Sequence, residues 1–198
     1  MSSVDVVAAI EHPSEEREGL PNAVVAYATL FGATEYVAGL VASALGEATR
    51  GRVEAHDLAY LEVSTLANHD LIVIGACTWN VGQLPPDLES KLDALGALDL
   101  RGKYLAVFGT GDQIGYPDTF VDAIGMVAER MRNTGARLVG RWPADGYSFA
   151  ASRAAVGGIE LLGLAIDEDN EPDLTAGRVA GWAAQIAHEA GLRTRVSI

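Results

Sequence analysis

Two large aromatic residues, Trp79 and Tyr116, lie in glycine-rich segments, and their side chains could bind a flat heterocyclic ligand between them. Each segment directly follows a mainly apolar run, 70–74 and 104–108 respectively, which is typical of a parallel strand covered on both faces. Ligands of open α/β sheets bind beyond the carboxyl ends of the strands. We therefore predict that Trp79 and Tyr116 stack on a ring system there; the alternative is that both are core aromatics.

A third segment, Thr29–Thr34, separates the first predicted strand from the first predicted helix. Backbone N–H groups and the positive end of the helix dipole converge at such a junction. The segment lacks the lysine and glycine spacing of a nucleoside-triphosphate P-loop and the Gly-x-Gly-x-x-Gly of dinucleotide-binding folds. These features predict a phosphate monoester held by hydroxyl and amide groups; the alternative is that Thr34 only caps the helix.

The elements that would position these segments alternate along the chain after Pro21, which predicts an α/β fold with a doubly wound parallel sheet. Strands are predicted at 23–27, 53–56, 70–74 and 104–108, with a fifth beginning at 137–141. Helices are predicted at 34–48, from 85–86 through 95, from 120 through 131 with an end at Gly135, and over 179–190, and 58–66 is a weaker helical segment. Strand character resumes at 161–166, so 142–160 is predicted to be an insertion splitting the fifth strand.

The hydrophobic content, the net charge and the cysteine count of the chain limit the classes of function that it can have. Hydrophobic residues make up 49% and charged residues 21% of the 198 residues, which fits one packed domain. The formal net charge of -13 disfavours nucleic acid and anionic membranes as partners and favours basic docking faces. The single cysteine, Cys77, excludes an intramolecular disulfide and favours a cytoplasmic location. The first 21 residues carry four glutamates and no signal-peptide pattern, so we predict a mobile acidic tail.

Five motifs belong together: Thr29–Thr34, Thr78–Gly82, Gly109–Tyr116, Asp145–Tyr147 and Leu164–Asn170. They resemble those of a long-chain flavodoxin, and the resemblance runs from about residue 23 to residue 192. The resemblance implies a flavodoxin-like, five-stranded parallel sheet of strand order 2-1-3-4-5, with FMN as the cofactor at the switch between strands one and three. It also identifies 142–160 as the insertion of the long-chain class, and 22–198 as the FMN-binding domain.

The same resemblance implies roles for individual residues. The FMN phosphate would be bound by Thr29, Gly32, Ala33 and Thr34, and the two faces of the isoalloxazine would be covered by Trp79 and Tyr116. Asn80 and Val81 would form a turn whose peptide reorients on one-electron reduction, so that a carbonyl accepts a hydrogen bond from flavin N5. The pyrimidine end would be lined by Thr110, Gly111 and Asp112. The predicted binding set also includes Leu30, Phe31, Thr78, Gly82 and Thr119.

Phe31 departs from the family pattern, which usually has a hydroxyl residue at this position. Hydrogen bonds to charged groups are worth about 1.5 to 3 kcal/mol, so its loss predicts phosphate binding weaker by about tenfold to a hundredfold unless backbone N–H groups compensate. Two further departures are Cys77, where proline is common, and Thr119, where some relatives have Asn. The acidic residues around Asp167 invite a calcium interpretation, but they lack the EF-hand pattern, so we predict no metal site.

The leading hypothesis is a cytoplasmic, monomeric, low-potential one-electron carrier that catalyses no turnover of its own. It would take electrons from a basic-faced partner, such as a flavodoxin reductase, and deliver them to acceptor oxidoreductases through salt-sensitive docking. One alternative is an FMN-dependent NAD(P)H:quinone reductase on the same scaffold. Another, prompted by Phe31, is a relative that binds flavin poorly and serves as an interaction module.

Overall fold

The structure is a computed structural model that describes residues 22–192. The predicted mobile tail at residues 1–21 lies outside the described residues, as do residues 193–198. Among the described residues, no helix combines the length and the apolar character needed to cross a membrane.

A parallel sheet forms the centre of the fold. Its strands are β1 (Ala23–Ala28), β2 (Glu54–Asp57), β3 (Leu71–Cys77), β4 (Tyr104–Thr110), β5 (Arg137–Leu138) and β9 (Leu164–Ile166). The order is β2-β1-β3-β4-β5, with β9 also paired to β4. This order confirms the prediction of a doubly wound, flavodoxin-like sheet.

Four α-helices cover the sheet in the described part of the chain: α1 (Ala33–Thr49), α2 (Pro86–Gly96), α3 (Asp122–Met131) and α4 (Pro172–Glu189). The apolar core is divided between the two faces. Helices α2 and α3 pack on one face, where Ile74, Leu88 and Ile124 are buried. Helices α1 and α4 pack on the other, where Val41 and Trp182 are buried. Because both faces are covered, the central strands can be apolar throughout rather than alternating.

The fifth strand is split as predicted. Residues of β5 pair with the beginning of β4, through Tyr104↔Arg137, and residues of β9 pair with its end, through Thr110↔Ile166. The insertion between them contains a small antiparallel sheet that the sequence did not reveal. Its strands are β6 (Trp142–Pro143), β7 (Ala155–Val156) and β8 (Glu160–Leu161), in the order β6-β8-β7.

Several predicted elements differ from the structure in their bounds; α4, for example, begins at Pro172 rather than at Val179. The weak helical segment 58–66 is a turn at 58–60 followed by a short 3-10 helix at Val63–Asn68 instead, and Lys91 of α2 donates hydrogen bonds to the carbonyl oxygens of Leu58, Ala59 and Leu61, which are therefore not available for a helix. Helix α3 ends at Met131, before the predicted stop. Gly135 lies in the following turn with a φ of 84°, a conformation that glycine adopts without strain.

Candidate functional site

The loop between β1 and α1 leaves the beginning of α1 open. Gly32 has a φ of 92°, and a Cβ built at this position meets no heavy atom within 4 Å. The Gly32 N–H donates to Thr29 Oγ1 at 3.0 Å, and Ala33 begins the helix. The first N–H groups of a helix lack acceptors within the helix, so this turn offers an anion-binding position.

Thr34 does not present its hydroxyl to solvent. Its side chain is buried, and its Oγ1 is hydrogen-bonded to Oγ1 of Thr110, 2.9 Å away at the end of β4. Cys77, paired in register with Thr110 at the end of β3, lies half-buried below the same loop. Burial raises the pKa of the Cys77 thiol, while hydrogen bonds with the Thr34 side chain and the Leu30 backbone act in the opposite direction. Hydrogen bonds therefore join the beginning of α1 to the ends of β3 and β4 beneath the loop.

The loop after β3 is a tight turn closed by two reciprocal hydrogen bonds. Trp79 N–H donates to the Gln83 carbonyl, and Gln83 N–H donates to the Trp79 carbonyl, both at 2.8 Å. Inside the turn, Asn80 has a φ of 47° and Gly82 a φ of 76°. The side chain of Trp79 is 41% exposed, and Val81 at the tip is also exposed. The turn is therefore closed at its base, and Asn80 and Val81 lie at its tip.

Phe31 contacts Trp79. The two ring centroids are 5.3 Å apart with an interplanar angle of 51°, and Phe31 is 81% exposed. Leu30, its neighbour in the loop, is partly exposed as well. The residue that departs from the family pattern in the β1–α1 loop therefore packs against the aromatic residue of the next loop.

The loop after β4 holds Tyr116, which is 50% exposed, through the Asp112 side chain. Asp112 Oδ1 accepts hydrogen bonds from the N–H groups of Gly115 and Ile114 and from the Asn170 side chain. The hydrogen bond from Gly115 is the main cause that lowers the pKa of Asp112. Gly111 begins this loop, with its N–H donating to the carbonyl of Ile166 in β9. The Asp112 carboxylate is thus used to shape the loop.

Asp167, part of the acidic cluster noted in the sequence, is buried and supports the same loop. Its carboxylate accepts hydrogen bonds from the N–H groups of Gln113, Asp169 and Asn170, and from the Asn170 side chain. Its oxygens are therefore satisfied by protein donors. Within residues 22–192, no group of three or more His, Cys, Asp or Glu side chains is arranged to hold a metal ion.

Residues of the insertion donate hydrogen bonds to the loop that carries Tyr116. Gln113 Oε1 accepts a hydrogen bond from Ser148 N–H at 2.6 Å, and the Pro117 carbonyl accepts from Ala150 N–H and Ala151 N–H. Tyr147, which the resemblance singled out, donates its hydroxyl to the carbonyl of Ala165 at 2.7 Å. The insertion therefore has a positioning role at this edge of the sheet.

The beginning of α3 joins the second loop to the third. Thr78 Oγ1 accepts a hydrogen bond from Ala123 N–H at 3.1 Å, so its side chain caps α3. A Cβ on Gly82 would lie 3.0 Å from Asp122 Oδ2 and 3.3 Å from the Thr119 side chain. Val121, just before α3, has a φ of 46°, which is rare for a β-branched residue and marks local strain at this edge.

The predicted residues thus come together at the carboxyl edge of the sheet, on three loops. Sequence reasoning missed the Thr34–Thr110 link, the Phe31–Trp79 contact and the bracing by the insertion. The first two depend on register and loop direction, which no local pattern encodes. The fold and the loops together define a doubly wound α/β protein with a ligand site at the ends of β1, β3 and β4.

Comparison with known proteins specifies the family. The sequence profile of the flavodoxin family matches residues 25–182. A flavodoxin of Nostoc sp. is 43% identical over 166 residues, covering 84% of this chain and 95% of its own. Flavodoxin 1 of Escherichia coli is 37% identical over 158 residues, covering 80% of this chain and 88% of its own. The chain belongs to the flavodoxin family.

Solved structures agree with the fold. A Fusobacterium nucleatum flavodoxin bound to flavin mononucleotide superposes with a TM-score of 0.78 at 24% identity, covering 84% of this chain and 97% of its own. Oxidised flavodoxin 2 from Bacillus cereus gives a TM-score of 0.67 at 28% identity, covering 85% of this chain and 99% of its own. Flavodoxins are electron-transfer proteins rather than enzymes, so the carrier hypothesis is confirmed at the level of the family. The quinone reductase alternative finds no support.

Proposed function

We propose that this protein binds FMN non-covalently at the carboxyl edge of its sheet and carries electrons one at a time between redox proteins. The observation that carries the proposal is the placement of two exposed aromatics, Trp79 and Tyr116, on neighbouring loops beside the open beginning of α1. Membership of the flavodoxin family and the FMN-bound relative from Fusobacterium nucleatum support it.

The residues present fit a phosphorylated flavin. The unobstructed turn at Gly32 can accept a phosphate, which would be held by N–H groups of the first turn of α1, including those of Ala33 and Thr34. Thr29 would contribute its hydroxyl, which already accepts a hydrogen bond from Gly32 N–H and can still donate. The absence of a basic residue from Thr29–Thr34 makes backbone amides the principal anion ligands.

Trp79 and Tyr116 would cover the ring system from its two sides, and stacking on each would contribute about 1 kcal/mol beyond area burial. The end nearest β4 would meet the backbone of Thr110, Gly111 and Asp112, since the Thr110 hydroxyl and the Asp112 carboxylate already have partners. When bound, FMN supplies reversible one-electron and two-electron redox chemistry.

The turn at Asn80–Gly82 is the part of the site that can respond to a change of protonation. In the described residues, the peptide groups of Asn80 and Val81 make no hydrogen bond of their own, whereas Trp79 and Gln83 hold the turn firmly at its base. A peptide at the tip can therefore turn its carbonyl toward a proton on the ring at small cost. Asn and Gly tolerate the positive φ values that such a reorientation needs.

Charge would govern the choice of partners. The net charge of -13 favours redox partners with a basic docking face, such as a flavodoxin reductase, and complementary charge mainly raises the association rate. We further propose that the protein acts as a monomer in the cytoplasm, in keeping with its single, half-buried cysteine.

The experiment that tests this function is stepwise anaerobic reduction of the purified protein after reconstitution with FMN. A carrier should pass through a long-lived, one-electron reduced form with its own visible spectrum. Direct passage to the two-electron reduced form would contradict the carrier function, and failure to retain FMN would contradict the cofactor assignment.

Docking is tested separately by electron transfer from a basic reductase at rising ionic strength. The rate should fall as salt screens the acidic surface, because the Debye length shortens from about 10 Å at 0.1 M to about 3 Å at 1 M. A variant in which one exposed glutamate far from the site, Glu47, becomes Gln serves as the control for a change of net charge. A rate that does not depend on salt would count against charge-guided docking.

A further inference from the structure

The proposed electron-carrier function does not use a groove beside α3. It has a volume of about 720 Å³ and lies between α3, the strand β5 and the insertion. Its floor is apolar and includes Met126, Ala128, Leu138 and Leu162. We refer to it, with the arginines described next, as the arginine-rimmed groove.

The rim carries the opposite charge to the protein as a whole. Arg130, Arg132 and Arg153 line the groove together with one acidic residue, Glu129, although the chain has a net charge of -13. Each of these arginines already has an ion-pair partner: the Arg130–Asp93 and Arg132–Glu129 pairs are solvent-exposed, whereas Arg153 pairs with Asp122, whose carboxylate is buried. Such exposed pairs are weak and can exchange partners. An apolar floor with a basic rim fits a segment that combines apolar and acidic residues.

The first 21 residues have this composition. Val4, Val6, Val7 and Ile10 give an apolar stretch interrupted by Asp5, and it is followed by Glu11, Glu15, Glu16 and Glu18, with Arg17 among them. The family profile begins only at residue 25, so this segment lies outside the part of the chain that defines a flavodoxin. A role for it would therefore lie beyond the residues that the family model matches.

The distances allow the segment to reach the groove. The described chain starts at Asn22, at the amino edge of the sheet, and β5 begins at the same edge directly after the groove residue Ala136. Three strand spacings, from β1 through β3 and β4 to β5, amount to about 14 Å. Residues 11–21 can span about 36 Å when extended. The C-terminal end of α3, with Arg130 and Arg132, faces this edge, so the acidic part of the segment would pass the arginines first.

We propose that the N-terminal segment of this chain docks into its own arginine-rimmed groove. Residues 4–10 would cover the apolar floor, and the glutamates that follow would replace Asp93 and Glu129 as partners of the rim arginines. A short tether gives an effective concentration of the order of 1 mM, so docking occurs even where the free segment would bind only weakly. The docked segment would cover the groove and give Arg130 and Arg132 new acidic partners.

The three methionines of the chain provide the probe. Met126 lines the groove, Met131 is buried in the core as an internal reference, and Met1 marks the segment itself. The full chain, labelled with ¹³C in its methionine methyl groups, is compared by NMR with the double variant Val7→Asp, Ile10→Asp. The control is the pair of substitutions Ser2→Asp and Ser14→Asp, which adds the same charge without removing an apolar side chain.

Docking predicts that the Met126 signal shifts in the apolar variant, stays close to its original position in the control, and leaves Met131 unchanged. Salt raised from about 0.1 M to about 1 M should move the original Met126 signal toward that of the variant. The same Met126 signal in all three proteins would overturn the proposal, as would equal shifts in variant and control. A Met126 shift that depends on protein concentration would also overturn it, because the occupant would then be the segment of a second copy.

Discussion

Replacing Phe31 by Thr tests how the β1–α1 loop holds the phosphate. The substitution supplies a hydroxyl beside the open turn at Gly32, and a hydrogen bond to a charged phosphate is worth about 1.5 to 3 kcal/mol. It also removes the ring that lies 5.3 Å from Trp79. An aromatic pair contributes about 0.5 to 1.5 kcal/mol, and the 81% exposure of Phe31 places this pair at the lower end.

The two effects separate when FMN is compared with riboflavin, which has the same ring system but no phosphate. Phe31→Thr should bind FMN more tightly, by about fivefold or more, because the gain of about 1.5 to 3 kcal/mol exceeds the loss of about 0.5 kcal/mol. It should bind riboflavin more weakly, by about twofold, since only the loss applies.

Quenching of flavin fluorescence on titration with the apoprotein gives both dissociation constants. Phe31→Ala is the matched control, because it removes the ring without adding a hydroxyl and should weaken the binding of FMN and riboflavin alike. Equal FMN affinities for the original protein and Phe31→Thr would refute the reasoning. A parallel gain for riboflavin would show that the hydroxyl acts on something other than the phosphate.

Three further predictions concern the scaffold of the site. Thr110→Val removes one of the two hydrogen-bond partners of the buried Thr34 hydroxyl, the other being Cys77, and should lower the free energy of unfolding by about 1 kcal/mol in urea, whereas the double variant with Thr34→Val should lose less than the sum of the two single changes. Gly82→Ala, at a φ of 76° with its Cβ 3.0 Å from a carboxylate oxygen, should cost about 1 to 3 kcal/mol, while the control Gly177→Ala in open space on α4 should stabilise the protein by about 0.5 to 1 kcal/mol. Burial raises the pKa of the Tyr147 hydroxyl from 10.0 to about 12, so the folded state keeps this proton at pH values where the unfolded state loses it. The resulting contribution to the free energy of unfolding is complete below pH 10 and is lost between pH 10 and 12. Chemical unfolding across that range should show this loss, and Tyr147→Phe should remove its share of the pH dependence; an unchanged slope in that variant would contradict the assignment.

Much of the fold follows from local patterns. The unbroken apolar character of β1, β3 and β4 predicted strands that are buried on both faces, and the structure buries them there. The helical spacing around Leu88 and Leu92 predicted α2 in the same way. By contrast, 58–66 has helical spacing but is mostly not helical, because its conformation depends on Lys91 from a distant helix.

The sequence by itself determined the three loops at which a ligand would bind, because glycine, threonine and aromatic residues at fixed offsets from apolar runs are local features. The motifs in those loops indicated the family, and the strand order followed only from that resemblance. Only the tertiary structure decided how those loops are supported. Thr34 is hydrogen-bonded to Thr110, which lies 76 positions away in the chain, and Asp112 accepts a hydrogen bond from Asn170, which lies 58 positions away. Whether a hydroxyl or carboxylate faces a ligand or another side chain depends on the register of the strands. Register is a property of the whole packed sheet, so residues far apart in the chain decide it together.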